Sequence, residues 1–277
     1  ELRRSSLNPI ADIKIIIHLL SIYHAIDPSV VHHVALKPVL YGTLAARITG
    51  VPSIVNALAG MGHVFSYESN RWNIFIRPTV RFIMKMVLRN NRTRMILQNS
   101  FDKQQLQSEL GFNEESIALI KGSGVDTKEF SVTKEPQGKV RISLVSRLIW
   151  EKGVGDLVEA SKILKKRGVN CVVTLVGEPD KDNPRAIDEA QLESWVQSGI
   201  IEWWGRRNDI ANVWAQSHIA CLPTYYREGL PKALLEAAAC GRPIVTTDNP
   251  GCIELVENGI NGCIVPMKDS KALADAI

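Results

Sequence analysis

Cysteine is scarce in this chain, and its five copies, Cys171, Cys221, Cys240, Cys252 and Cys263, form no C-x-x-C pair. Most lie in apolar runs, so they read as reduced thiols of a cytosolic protein rather than as a disulfide framework. Long hydrophobic stretches are missing too. The most apolar segment, Ile13 to Ile26, is interrupted by Lys14, His18 and His24. A membrane-spanning helix needs about 20 mostly apolar residues, so this segment reads as a buried helix. No signal-peptide pattern is visible. A strong charge imbalance is also lacking: the net charge of +4 excludes a global attraction to nucleic acid, leaving only local basic stripes to be read. What remains, 45% hydrophobic and 22% charged residues over 277 positions, is the balance of a folded globular chain and excludes disordered and collagen-like ones. The sequence opens on Glu1 and stops at Ile277 inside a helical pattern, so it reads as cut at both ends.

Short β-branched runs alternate with longer helical patterns, the signature of parallel strands joined by crossover helices. Strands are predicted at Ser29 to Val34, Pro52 to Ala57, Arg94 to Gln98 and Ser116 to Ile120. Helical patterns at Pro38 to Thr49, Trp72 to Asn90 and Phe101 to Leu110 separate them. After the polar segment 131–139, with Pro136 and Gly138, the pattern restarts. Strands are predicted there at Val140 to Ser146, Cys171 to Gly177, Ile200 to Trp204, Ile219 to Pro223, Pro243 to Thr247 and Cys263 to Pro266. The fold class is therefore α/β: two doubly wound lobes, 1–130 and 140–277, joined by a linker over 131–139. Ligand-binding loops are expected at the C-terminal ends of both sheets, facing a cleft.

The richest stretch is Glu228-Gly229-Leu230-Pro231-Lys232-Ala233-Leu234-Leu235-Glu236. Pro231 suits a first helical turn and Gly241 with Pro243 a stop, which predicts a helix over Leu230 to Cys240. Glu228 then precedes a positive dipole end where Gly229 and Leu230 offer backbone N–H groups to phosphate or sugar hydroxyls. Glu236 lies further along the same helix, so two carboxylates can each accept from a different diol. The spacing fits equally a surface helix with two solvated glutamates. A second stretch, Ser146-Arg147-Leu148-Ile149-Trp150-Glu151-Lys152-Gly153, puts two cations after a strand and before a helix from Val154 to Arg167. Arg147 and Lys152 there can meet the growing negative charge of a departing diphosphate without a metal ion.

The first stretch, continued through Cys240-Gly241-Arg242-Pro243 and on to Asn258-Gly259-Ile260-Asn261-Gly262, resembles the glutamate, seven residues, glutamate signature of glycosyltransferase family 4. That is a retaining family of the two-lobed GT-B architecture, also described as glycosyl transferases group 1. The resemblance implies that Glu228 contacts donor-sugar hydroxyls, that Gly229, Leu230 and Pro231 line the donor, and that Glu236 holds the ribose. It makes Arg147 and Lys152 the catalytic cations and places the nucleotide base by Gly205 and Arg206. Gly251 and Cys252, ahead of another helix, are further donor contacts. The fragment Leu36-Lys37-Pro38 is similar to the subgroup that builds bacterial surface polysaccharides. What the resemblance implies is transfer of a hexose or N-acetylhexosamine from a UDP-sugar to a glycan or polyprenyl-diphosphate-linked acceptor. No cofactor and no metal are expected, the sugar nucleotide being a co-substrate. The usual first strand with its glycine-rich turn, and the last helices, are not seen. Two rivals are a UDP-sugar epimerase of the same architecture and a non-catalytic nucleotide-sugar-binding subunit.

In the first lobe Gly60, Gly62 and His63 follow a strand, and with His33 they are the acceptor-side candidates; His63 is read either as a general base or as a structural loop residue. Asp180-Lys181-Asp182 spells a D-x-D metal motif but falls in a polar loop, so it is set aside. The glycines at Gly122 and Gly124 match neither G-x-G-x-x-G nor a P-loop. Between Arg71 and Arg94 there are seven Lys or Arg residues and no acid. Arg77, Arg81, Lys85 and Arg89 recur every four residues as one helical stripe. It is read either as a contact for an anionic membrane surface, making the protein peripheral on the inner face of the cell membrane, or as a solvated face.

Overall fold

The computed structural model describes residues 9–60 and 71–277. The chain divides into two compact units, one comprising 1–122 with Arg227–Leu230 and the other Ser123–Tyr226 with Pro231–Ile277.

The first unit runs α1 (Pro9–Ile26), β1 (Val30–Val34), α2 (Leu36–Ile48), β2 (Ser53–Leu58), α3 (Arg71–Leu88), β3 (Thr93–Leu97), α4 (Ser100–Leu110) and β4 (Ile117–Leu119). Its strands form one parallel sheet in the order β1-β2-β3-β4. Each expected strand is present within two residues of its predicted bounds. The core gathers Leu58, Met95 and Leu97 from the sheet, Met84 and Leu88 from α3, and Leu106 and Leu110 from α4, all essentially inaccessible to solvent. The α1 segment departs from expectation. It is helical but packs along α2, leaving Ile10, Ile13, Ile17 and Ile26 exposed. A segment apolar on all sides gives no periodicity from which to tell which face is covered.

The second unit runs β5 (Val140–Val145), α5 (Val154–Lys166), β6 (Cys171–Val176), α6 (Glu189–Gln197), β7 (Glu202–Trp203), α7 (Ile210–Ala215), β8 (Ile219–Leu222), α8 (Lys232–Ala239), β9 (Ile244–Thr247), α9 (Pro250–Ile253), β10 (Gly262–Val265) and α10 (Ser270–Ala276). Its six parallel strands lie in the order β10-β9-β8-β5-β6-β7. The chain builds outward from β5 through β6 and β7, then returns to the other side of β5 and builds outward again through β8, β9 and β10. The loops after β5 and β8 therefore leave in opposite directions. A crevice outside the carboxyl ends of the strands at such a reversal is where open α/β sheets bind ligands. Ile142, Leu144, Val173 and Leu175 on the central strands and Leu157, Val158 and Leu164 on α5 fill the core beneath it.

Candidate donor site and the loop that carries Glu228

Two glycines set the spacing of the loops above the second sheet. Gly153 has φ +75°, and a Cβ there would sit 1.9 Å from the Pro223 carbonyl oxygen. Gly177 has φ +138°, with the same 1.9 Å approach to the Ser146 oxygen. No L side chain meets either condition without moving backbone. The loops after β5, β6 and β8 are thereby brought into backbone contact. The Gly177 N–H also donates to the Gly205 oxygen at 2.8 Å, adding the loop after β7. The Glu151 carbonyl completes the set by accepting from the Thr224 hydroxyl and from the Tyr225 and Tyr226 amides, at 2.9–3.1 Å.

Onto this frame fall the sequence-predicted residues of the second unit. Arg147 follows β5, and its guanidinium is paired with the Asp180 carboxylate. Asp180, the first acid of the D-x-D motif, is thus engaged by a cation, and among the described residues no group of three His, Cys, Asp or Glu is placed to hold a metal ion. Lys152 closes a short 3-10 turn over Trp150–Lys152, and its ammonium lies 5.6 Å from the centroid of the Tyr226 ring. Glu236 is buried on α8 with Lys232 Nζ at 3.4 Å. Burial pushes its carboxyl above the usual range, Glu129 adds to this, and Lys232 works against it. Pro231 caps α8, which begins at Lys232, two residues later than predicted. Gly205 adopts φ +62° and Arg206 is exposed. Beside it, Arg207 and Asp209 form a two-pronged pair at 2.6 and 2.7 Å, which holds the exposed Asp209 carboxyl well below its usual range. Gly251 and Cys252 are buried in α9. Their amides donate to Asn249, whose own Nδ2 donates to the Tyr226 carbonyl. That short helix therefore spends its first donors on its own cap.

Glu228, Gly229 and Leu230 are placed within the first unit, by residues that sequence reasoning did not single out. Asn99 caps α4, its side-chain oxygen accepting from the Asp102 amide at 2.7 Å, while its Nδ2 donates to the Glu228 and Gly229 carbonyls at 3.3 and 3.0 Å. The Leu230 N–H, predicted to face a donor, donates instead to the Gln98 side chain at 3.1 Å. Arg227 reaches Asp102 at 2.7 Å and Gln105 at 2.9 Å, both acceptors buried. A buried ion pair of this kind is costly to break on one side only. Gly60 and Gly229 permit the approach. A Cβ on Gly60 would meet the Arg227 oxygen at 2.7 Å, and one on Gly229 would meet Gln98 at 2.2 Å. The signal that could have pointed here is Gln98-Asn99-Ser100-Phe101-Asp102, a strand end running into an Asn-capped helix.

His33 lies elsewhere in this unit. Its ring is buried between Tyr23 and Asn56, each at 2.8 Å, with Asn56 donating onward to Thr43. Asn56 Oδ1 accepts from Nδ1–H, and Nε2 shares a bond with the Tyr23 hydroxyl, which donates to a neutral ring and accepts from a protonated one. It is burial that favours the neutral form and lowers the His33 pKa. Neither nitrogen is offered to an acceptor substrate. Gly62 and His63 lie outside the described residues, as does the side chain of Arg77.

On α3, Arg81 pairs with Glu109 at 2.9 Å. Lys85 and Arg89 are exposed alongside Phe82, Ile83 and Met86, while Met84 and Leu88 turn into the core. The stripe is thus part ion-paired and part mixed basic and apolar surface.

Residues 139–277 match the profile described as glycosyl transferases group 1, and residues 1–100 match one described as glycosyl transferase 4-like. A relative from Campylobacter jejuni, N,N'-diacetylbacillosaminyl-diphospho-undecaprenol alpha-1,3-N-acetylgalactosaminyltransferase, is 29% identical over all of this chain and 74% of its own length. The Escherichia coli UDP-Gal:alpha-D-GlcNAc-diphosphoundecaprenol alpha-1,3-galactosyltransferase is 26% identical over 98% of this chain and 71% of its own. Among solved structures, Anabaena Alr3699/HepE in complex with UDP superposes with a TM-score of 0.72 at 20% identity, over 94% of this chain and 70% of the other.

Proposed function

Because the chain belongs to the glycosyl transferases group 1 family and is a glycosyltransferase of the GT-B fold, we propose that it moves a hexose or N-acetylhexosamine from a UDP-sugar to a glycan or polyprenyl-diphosphate-linked acceptor. The transfer retains anomeric configuration, needs no metal, and serves bacterial surface polysaccharide or lipopolysaccharide synthesis. The observation that carries this reading is the placement of Arg147 and Lys152 directly after β5, where the strand order of the second sheet reverses. In this reading the diphosphate of a sugar nucleotide seats against both cations, and charge building on the leaving phosphate is met by guanidinium and ammonium.

In the same reading Glu236 accepts from the ribose hydroxyls, Glu228 from the donor sugar, and the Gly205–Arg206 loop carries the base. Pro231, Gly251 and Cys252 shape the donor pocket by packing, and the Gly229 amide remains a candidate donor. Gly60, Gly62 and His63 serve the acceptor. The relatives named for undecaprenol-linked substrates support a lipid-linked acceptor, and the fold neighbour with UDP supports a uridine nucleotide.

Full-length protein incubated with UDP-sugars and a polyprenyl-diphosphate-linked acceptor should release UDP only when acceptor is present, in chelator as in buffer. Arg147→Ala should lower kcat by about 10²–10³-fold while still binding UDP. UDP-sugar turnover without acceptor would instead indicate an epimerase, and unchanged kcat in the variant would refute the assignment.

Attachment to the inner face of the membrane is part of this reading, through Lys85 and Arg89 together with the exposed Phe82, Ile83 and Met86. Each basic residue near an anionic surface contributes about 1 kcal/mol, and exposed apolar neighbours add burial in the interface. Lys85→Glu with Arg89→Glu should shift full-length protein from anionic vesicles to the supernatant in a sedimentation assay; undiminished pelleting would remove this surface from the reading.

A further inference from the structure

The second unit contains a cavity of about 620 Å³ that none of the roles above uses, floored by α5 and walled by Trp150, Trp195, Tyr225, Asp156, Gln191 and Lys268. Its size falls within the range of small-molecule pockets. The aromatic walls are fixed in orientation. The Trp150 indole rests on Gly155, where a Cβ would come within 3.0 Å of the ring. Trp195 meets it edge to face at a centroid separation of 6.1 Å and an interplanar angle of 90°. Tyr225 is held through its amide on the Glu151 carbonyl, and the Lys268 ammonium lies 4.5 Å from its ring centroid.

The polar groups of the lining balance. Asp156 and Glu159 face Lys162 and Lys268, so the lining carries two acids and two bases and no net charge. Glu159 and Lys162 are joined at 2.6 Å, and the Ser270 hydroxyl donates to Asp156 at 3.3 Å. A phosphate or nucleotide entering here would meet two carboxylates, and a purely apolar guest would remove the polar lining from water while offering it no hydrogen bonds in return. A ligand that satisfies both walls has a flat C–H face for one indole and a rim of hydroxyls that donate to carboxylates and the Gln191 carbonyl and accept from ammonium groups. That description is a neutral pyranose.

We propose that this cavity binds one or two uncharged pyranose residues of a glycan, at a site separate from the sugar-nucleotide donor. The inference goes beyond the function proposed above and does not rest on it, because it uses no donor contact.

Full-length protein would be titrated calorimetrically with galactose, N-acetylgalactosamine and maltose, and separately with UDP. Saturable binding of at least one sugar is expected, weakened at least tenfold in Gln191→Ala and in Trp195→Ala, with UDP affinity unchanged in both. Tighter binding of maltose than of the monosaccharides would assign the site to a glycan chain, and equal binding to a single residue; both support it. Absence of saturable sugar binding, affinities unaltered in the variants, or displacement of sugar by inorganic phosphate would each overturn it. Should Trp195→Ala fail to fold, Gln191→Ala and Trp195→Phe carry the comparison. Loss of UDP binding with sugar binding retained would count against the proposed transferase function and leave this inference standing.

Discussion

At the scale of single residues, the first unit hides a titratable group whose protonation opposes its own surroundings. His33 is enclosed between Tyr23 and Asn56, and burial lowers its pKa from the ordinary 6.5. The unfolded chain therefore binds this proton more readily than the folded one. Its stabilising contribution is complete above the unfolded pKa and is lost as pH falls from there toward the folded value. Urea unfolding midpoints should drop as pH falls below the ordinary imidazole value of 6.5, and His33→Gln should flatten that slope while lowering stability overall. A slope unchanged by the substitution would assign the drop to other groups. The sequence marked His33 as chemically interesting, but its role depends on Tyr23 and Asn56, contributed by separate elements. The position of Arg147 and Lys152 after a strand was legible because a strand end followed by two cations is a local pattern. Asp180 was recognisable as a carboxylate in a loop; that it faces Arg147 required knowing that β5 and β6 lie side by side.

Among secondary-structure elements, strand positions were readable almost throughout, because β-branched runs bounded by turn residues betray parallel strands. Helix ends were read less well. The α8 start moved from Leu230 to Lys232 because Leu230 donates its amide to Gln98, 132 positions away. No window of sequence contains that bond. The same holds for Asn99 and the Glu228 carbonyl, and for Arg227 with Asp102. Close loop approach is another property of elements, and it yields a direct test. Gly177→Ala would force a Cβ against the Ser146 carbonyl at a left-handed φ, a combination of strain and overpacking worth about 3 kcal/mol or more. Thermal unfolding should occur at a lower midpoint than in Gly168→Ala, where φ is +72° but nothing lies within 4 Å of the added carbon. Equal losses in the two variants would show that backbone conformation, not loop contact, sets the cost.

Over the whole molecule, the division into two α/β units was legible from the restarting strand pattern, whereas the membership of Arg227–Leu230 in the first unit was not. That segment follows a strand of the second sheet in sequence, and only its tertiary bonds assign it. Ligand linkage gives the test at this scale. UDP at about 100 times its Kd should stabilise the native protein by about 2.7 kcal/mol, seen as a raised unfolding midpoint. Arg147→Ala should diminish the shift at fixed UDP concentration. No shift at saturating UDP would show that the native and unfolded chains do not differ in their affinity for it.

The reversed strand order of the second sheet also bears on synthesis. β5 and β6 are neighbours in the chain and can pair as soon as both emerge from the ribosome. β8 must come back past them from residues 219–222 to close the other side of β5. Pairing between distant segments carries a larger entropic cost and forms late. The nascent second unit thus passes through a stage with β5 bare along one edge, a strand open to wrong partners. The loop bearing Tyr225 and Tyr226 follows β8 directly, so its anchorage on the Glu151 carbonyl waits on the same late pairing.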